Sequence, residues 1–170
     1  MGEIELKQPR FNHVGFTIPR DSLNAEGRRR IVSFYSDCFG FIERTEYTKD
    51  RQMLVLMAGA VDQFIVLFGA DTPTTAGNAH DDHFGMACNS IDELKVYLER
   101  VRKHVAKDPT IVFEDYSVSN MKASEGGPAH NLHKFYIRVG TPFNFEVQYY
   151  EWLDQHVASD KGAAQPAAKR

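Results

Sequence analysis

The stretch His130-Asn131-Leu132-His133-Lys134-Phe135-Tyr136-Ile137-Arg138-Val139-Gly140-Thr141-Pro142-Phe143-Asn144-Phe145-Glu146-Val147-Gln148-Tyr149-Tyr150 reads as two β-strands joined by a turn. Residues 133–139 and 145–150 are rich in β-branched and aromatic side chains, and Gly-Thr-Pro-Phe-Asn between them is turn-forming. Side chains alternate along a strand, so Glu146, Gln148 and Tyr150 share one face and Phe145, Val147 and Tyr149 the other. A carboxylate in so apolar a strand is costly to bury without a partner. A metal cation is one such partner. An exposed face on an edge strand is the plainer account of the same residues.

Composition sets the class around that hairpin. The chain has 170 residues, 42% of them hydrophobic, which suits one globular domain or two small modules. A net charge of -3 gives no electrostatic reason to expect nucleic acid or an anionic membrane as a partner. Cys38 and Cys88 lie far apart in no metal-like spacing, as in a reduced, cytoplasmic protein. The N-terminus is polar rather than a signal peptide, and no apolar run is long enough to span a membrane.

Working back towards the N-terminus, Phe11–Ile18 alternates like a strand, with His13, Gly15 and Thr17 on one face. A helix is predicted over about 26–39, where Ile31, Phe34, Tyr35 and Cys38 fall at helical spacing and Gly40 fits a C-cap. Arg28-Arg29-Arg30 reads as a solvated helix face, with a substrate-anion contact as the lesser alternative. Three strands are expected next, at Phe41–Tyr47, Gln52–Met57 and Gln63–Phe68, and residues 71–80 read as a linker. The pattern then begins again. His83-Phe84-Gly85-Met86-Ala87-Cys88 matches His13-Val14-Gly15-Phe16-Thr17-Ile18. Asn89 or Ser90 caps a helix running to about His104, with Glu93 behind the cap. A strand at Thr110–Asp115 and a loop over 116–129 lead into the hairpin.

Internal repetition is the strongest of these signals. It divides the chain into βαβββ modules at 11–70 and 81–152, with flexible termini at 1–10 and 153–170. His13 and His83 occupy equivalent places. Aligning the closing strands sets Ile65 opposite Glu146. Paired about a pseudo-twofold axis, the modules bring His13, Ile65, His83 and Glu146 together. Three of these can bind a metal and Ile65 cannot. Two histidines and a carboxylate with open positions form the facial triad of non-haem Fe(II) oxygenases. The alternative is that both histidines are satisfied strand residues.

The βαβββ repeat with His13, His83 and Glu146 resembles the vicinal oxygen chelate superfamily, which includes glyoxalases, bleomycin-resistance proteins and extradiol dioxygenases. The likeness spans about residues 11–152. It implies an α+β fold in which two modules pair into a half-barrel around a metal, with His13, His83 and Glu146 as ligands. His130 to Trp152 resembles the extradiol dioxygenase signature: a histidine, Phe135-Tyr136, the Thr141-Pro142 turn, and a glutamate on the next strand. By that resemblance Tyr136 hydrogen-bonds a catecholate and His130 is the acid or base. The gap from His130 to Tyr136 is shorter than the family pattern, so His133 is the alternative. Aligning on Thr141-Pro142 selects Gln148 as the ligand, whereas counting from Tyr136 selects Glu146.

The resemblance therefore implies an enzyme: a cytoplasmic, homo-oligomeric Fe(II) extradiol dioxygenase, with Mn(II) or Zn(II) as alternative metals. Its substrates would be O₂ and a small-molecule catechol, of the kind handled by single-domain L-DOPA dioxygenases. A metal-dependent glyoxalase-type lyase, isomerase or thiol transferase stays open, as does a non-catalytic drug-binding resistance protein.

Overall fold

The structure is a computed structural model that describes residues 11–60, 62–75, 82–122 and 128–153. The polar lead-in, the second half of the linker and the C-terminal tail lie outside the described residues. The chain divides into two compact units. The first comprises Met1–Ala76 with Gly140–Pro142, and the second Gly77–Val139 with Phe143–Arg170.

The first unit runs β1 (His13–Pro19), a short 3₁₀ turn at Arg20–Leu23, α1 (Ala25–Phe39), β2 (Ile42–Glu43), β3 (Met53–Met57) and β4 (Phe64–Ala70). Its sheet has the order β1-β4-β3-β2, with β1 parallel to β4 and the other pairs antiparallel. Asn24 starts α1 by accepting hydrogen bonds from the N–H groups of Glu26 and Gly27. Gly40 ends it in the left-handed region at φ 72°. Ile31, Phe34, Tyr35 and Cys38 are buried on one side of α1, as their spacing predicts. Phe16, Ile18, Ile65 and Leu67 are buried with them, and Tyr35 stacks on Phe41 at 5.7 Å between ring centroids.

The second unit runs β5 (His83–Ala87), α2 (Ile91–Val105), β6 (Val112–Met121), β7 (His130–Arg138) and β8 (Asn144–Trp152). Its order, β5-β8-β7-β6, repeats the first, again with one parallel pair. Ser90 is the cap of α2, accepting from the N–H of Glu93, and Glu93 in turn accepts from the N–H of Asn89, the residue before the cap, at 2.6 Å. Leu94, Leu98 and Val101 of α2 are buried, as are Phe135, Ile137, Phe145 and Val147 on the alternate positions of β7 and β8. These residues form the apolar side of the sheet. The fold is therefore α+β, built from two βαβββ modules.

Three sequence expectations need correction. The strand at Phe41–Tyr47 shrinks to Ile42–Glu43, because Tyr47 and Thr48 both turn back to bond the Arg44 carbonyl. The loop expected from residue 116 is strand as far as Met121, paired to β7 down to His130. Its serines and asparagine suggest a loop by composition, but an edge strand tolerates polar side chains on both faces. A register shift between Glu114 and Ser117 interrupts that pairing as a bulge.

The third correction concerns register. Gly15 pairs with Val66 in the first unit, and Gly85 with Glu146 in the second. Val66, not Ile65, is therefore the counterpart of Glu146. The sequence alignment was one residue out, and a one-residue slip moves a side chain to the opposite face of the sheet.

Candidate metal centre

Four side chains of the second unit meet on the sheet face away from the apolar side. His83 comes from β5, Tyr136 and Lys134 from β7, and Glu146 from β8. The pairings Gly85 with Glu146 and Tyr136 with Glu146 set three strands on one rung. Glu146 is only 5% exposed, so its carboxylate needs partners. Tyr136 donates its hydroxyl proton to Oε1 at 2.7 Å. Lys134 Nζ lies 3.4 Å from the same oxygen and donates to the Tyr136 hydroxyl at 3.1 Å. The other oxygen, Oε2, faces His83 Nε2 at 3.3 Å.

Both proton-bearing neighbours of Glu146 are tuned by this packing. Burial raises the Tyr136 hydroxyl above its ordinary range, and the hydrogen bond to Glu146 adds to that, while Lys134 opposes it. For Lys134, burial is the largest single influence and lowers its pKa. The hydrogen bond to Tyr136 and the charge of Glu146 outweigh it, leaving a net raise. Lys134 therefore stays an ammonium at neutral pH.

The donor set can be tested against a divalent ion. Two donor atoms that each lie about 2.1 Å from one ion stand roughly 3–3.5 Å apart. His83 Nε2 and Glu146 Oε2, at 3.3 Å, meet that spacing. An imidazole nitrogen and a carboxylate oxygen also suit a first-row divalent metal. In the first unit, His13 Nδ1 lies 2.6 Å from the Asn12 side-chain oxygen and its ring stacks on Phe64. An oxygen acceptor there keeps the proton on Nδ1 and leaves the Nε2 lone pair available, which is the tautomer a ligand needs. Among the described residues, no three or more His, Cys, Asp or Glu side chains are grouped so as to hold a metal ion. The second unit supplies a pair of donors, and His13 a single one.

Two other predicted site residues stand elsewhere. His130 is on the same face as Glu146 but six residues before Tyr136, about 20 Å along the strand. It pairs there with Trp152, and its ring contacts Tyr150 and Trp152. His133 is on the opposite face. Its Nδ1 lies 2.7 Å from the Tyr116 hydroxyl, and its Nε2 3.1 Å from Glu151. Neither is brought beside Glu146. Lys134 is the neighbour that sequence reasoning missed, although alternation from Tyr136 already put it on the Glu146 face.

Comparison with known proteins fits this architecture. The model of the Glyoxalase/Bleomycin resistance protein/Dioxygenase superfamily matches residues 10–120. The chain belongs to that superfamily. Among solved members of the fold, a glyoxalase/bleomycin resistance protein/dioxygenase from Alicyclobacillus acidocaldarius aligns at TM-score 0.55 and 14% identity, covering 85% of this chain and 92% of that one. Fosfomycin resistance protein FosX from Mesorhizobium loti aligns at 0.52 and 12% identity, covering 89% and 99%. A glyoxalase/bleomycin resistance protein/dioxygenase from Nocardioides aligns at 0.52 and 8% identity, covering 98% and 93%. At these identities the likeness is one of fold. No curated protein matches the chain. The superfamily typically binds a divalent metal. Glu146 and Tyr136 lie beyond the matched residues, so their roles rest on the geometry of β7 and β8. No described helix is long and apolar enough to cross a membrane.

Proposed function

We propose that this superfamily member is a divalent-metal enzyme that opens the ring of a catechol beside its two hydroxyls, with iron(II) as the metal ahead of manganese(II) or zinc(II). The observation that carries this reading is the cluster of imidazole, carboxylate, phenol and ammonium groups on one sheet face. The proposed ligands are His83 and Glu146, whose donor atoms stand 3.3 Å apart in the second unit. When bound, the metal holds the substrate oxygens and lets charge pass between ring and O₂. Both atoms of O₂ enter the product, so no external reductant is consumed.

The protein's own residues hold and stabilise the substrate. The Tyr136 hydroxyl and the Lys134 ammonium are hydrogen-bond donors aimed at one carboxylate oxygen. A substrate oxyanion beside Tyr136 would take the single hydroxyl proton in place of Glu146 Oε1, at a position already set and partly dry. Proton handling in this reading falls to Tyr136 and Lys134, since neither His130 nor His133 adjoins Glu146. A metal-dependent lyase, isomerase or thiol transferase of the same fold is the second reading. It is favoured by the places of His130 and His133, since within the second unit neither adjoins Glu146.

The test is anaerobic loading with iron(II), followed by oxygen uptake and absorbance of the yellow ring-opened semialdehyde over a panel of catechols. Uptake matched by semialdehyde is expected. Tyr136→Phe should keep its metal and lose roughly 10²-fold in kcat, the usual cost of deleting one preorganised donor. No uptake with any catechol, together with turnover of a glutathione hemithioacetal, would replace this reading with the second.

A further inference from the structure

We infer that the site takes a substrate carrying an acidic group in addition to its chelating oxygens, and that Lys134 is the residue that selects it. The inference rests on the reading in which His83 and Glu146 hold the metal.

Lys134 lies on the site face of β7, with its side chain only 21% exposed. A cation so far out of water needs a countercharge. Its hydrogen-bonded neighbour is a neutral phenol, Tyr136, and the nearby anion is Glu146 at 3.4 Å. A metal that draws on Glu146 takes up that same negative charge. It also sets a dication near the ammonium. Lys134 then lacks balancing charge, and a ligand anion supplies it.

A second cation lies further along this face. Arg138 follows Lys134 and Tyr136 on that face by strand alternation. On the flanking strands, Gln148 pairs with Lys134 and is neutral, while Glu114 pairs with Tyr136 from exposed β6. The fold itself does not require a cation at this rung. In the first unit the equivalent pair is Met53 and Phe68. A lysine here is therefore a chemical choice rather than a packing need. The group it fits is a carboxylate or another compact anion attached to the chelating ring.

The experiment measures binding on the full chain loaded anaerobically with iron(II), without O₂, by calorimetry. The probes are catechol and 3,4-dihydroxybenzoate, which differ by one carboxylate. The wild type should bind the benzoate at least about 10-fold more tightly, the scale of one charge-assisted hydrogen bond. Lys134→Met copies the residue of the first unit and should erase that preference while one metal per chain is retained. Lys134→Arg should keep most of it, which guards against a variant that merely misfolds. A metal-loaded wild type that binds both probes equally overturns this inference and leaves the proposed function standing. A preference that survives Lys134→Met also overturns it. A wild type that takes up no metal overturns the underlying reading, and this inference with it.

Discussion

The two sheets share a strand order and a register, yet their corresponding rungs carry opposite chemistry. In the first, Gly15, Val66 and Val55 lie side by side. In the second, the same positions are Gly85, Glu146 and Tyr136. Val66 is 6% exposed and Glu146 5%, so burial does not explain the difference. The first unit shows what the fold needs at this rung, which is apolar bulk. The second shows a carboxylate where a valine would serve, held by three polar neighbours. A duplicated scaffold thus carries its own control. Where the copies agree on a buried apolar side chain, the residue serves the fold. Where they differ at equal burial, it serves something else.

The sharpest way to break the comparison is to remove the charge from the second unit. Glu146→Gln keeps the shape and takes away the anionic oxygen. Metal affinity should fall by more than about 10²-fold, beyond what losing a supporting group costs. Elemental analysis after dialysis reads this directly, and a Glu146→Gln protein that keeps a full complement of metal would show that the carboxylate is not a ligand. The reverse exchange, Val66→Glu, puts a carboxylate on the first unit's apolar face beside Val55. Among the described residues no ammonium or phenol accompanies it on that rung, so it should cost about 3 kcal/mol or more, as for an unpaired buried charge. Denaturant unfolding monitors the loss. An unchanged midpoint would mean that this rung tolerates charge without partners, and the contrast between the copies would lose its force.

The smallest effect compares the helix starts. Asn24 satisfies two N–H groups of α1, and Ser90 one of α2. Asn24→Ala and Ser90→Ala should each cost about 1 kcal/mol, with the first the larger. Equal midpoints for the two variants would show that the second bond from Asn24 adds nothing.

The sequence disclosed what is local. His-x-Gly at the head of each module, Gly40 after α1, and Ser90 with Glu93 before α2 are read from a few adjacent residues. The four-strand repeat followed from them. What it hid was pairing. Choosing Val66 over Ile65 requires knowing which residue of β1 lies opposite, and only the sheet fixes that. The extension of β6 through Ser117, Ser119 and Asn120 depends likewise on a partner strand, since those residues favour loops by themselves. Within the site, the resemblance drew attention to His130 and His133, yet strand arithmetic was available. Three residues from Tyr136 means the opposite face, and six means about 20 Å. The same arithmetic singles out Lys134.

The bulge in β6 bears on how the chain behaves in a crowd. β6 is ten residues long and lies at the edge of its sheet, with Val112, Tyr116, Val118 and Met121 exposed. A flat edge of that length would be a template on which other chains could add strands and grow fibrils. The bulge falls between Glu114 and Ser117, and Asp115 within it is tied to Arg102. It splits the edge into two short runs, bends them out of line and sets carboxylates at the break. A neighbour copying either run reaches the kink before it can form a ladder long enough to hold.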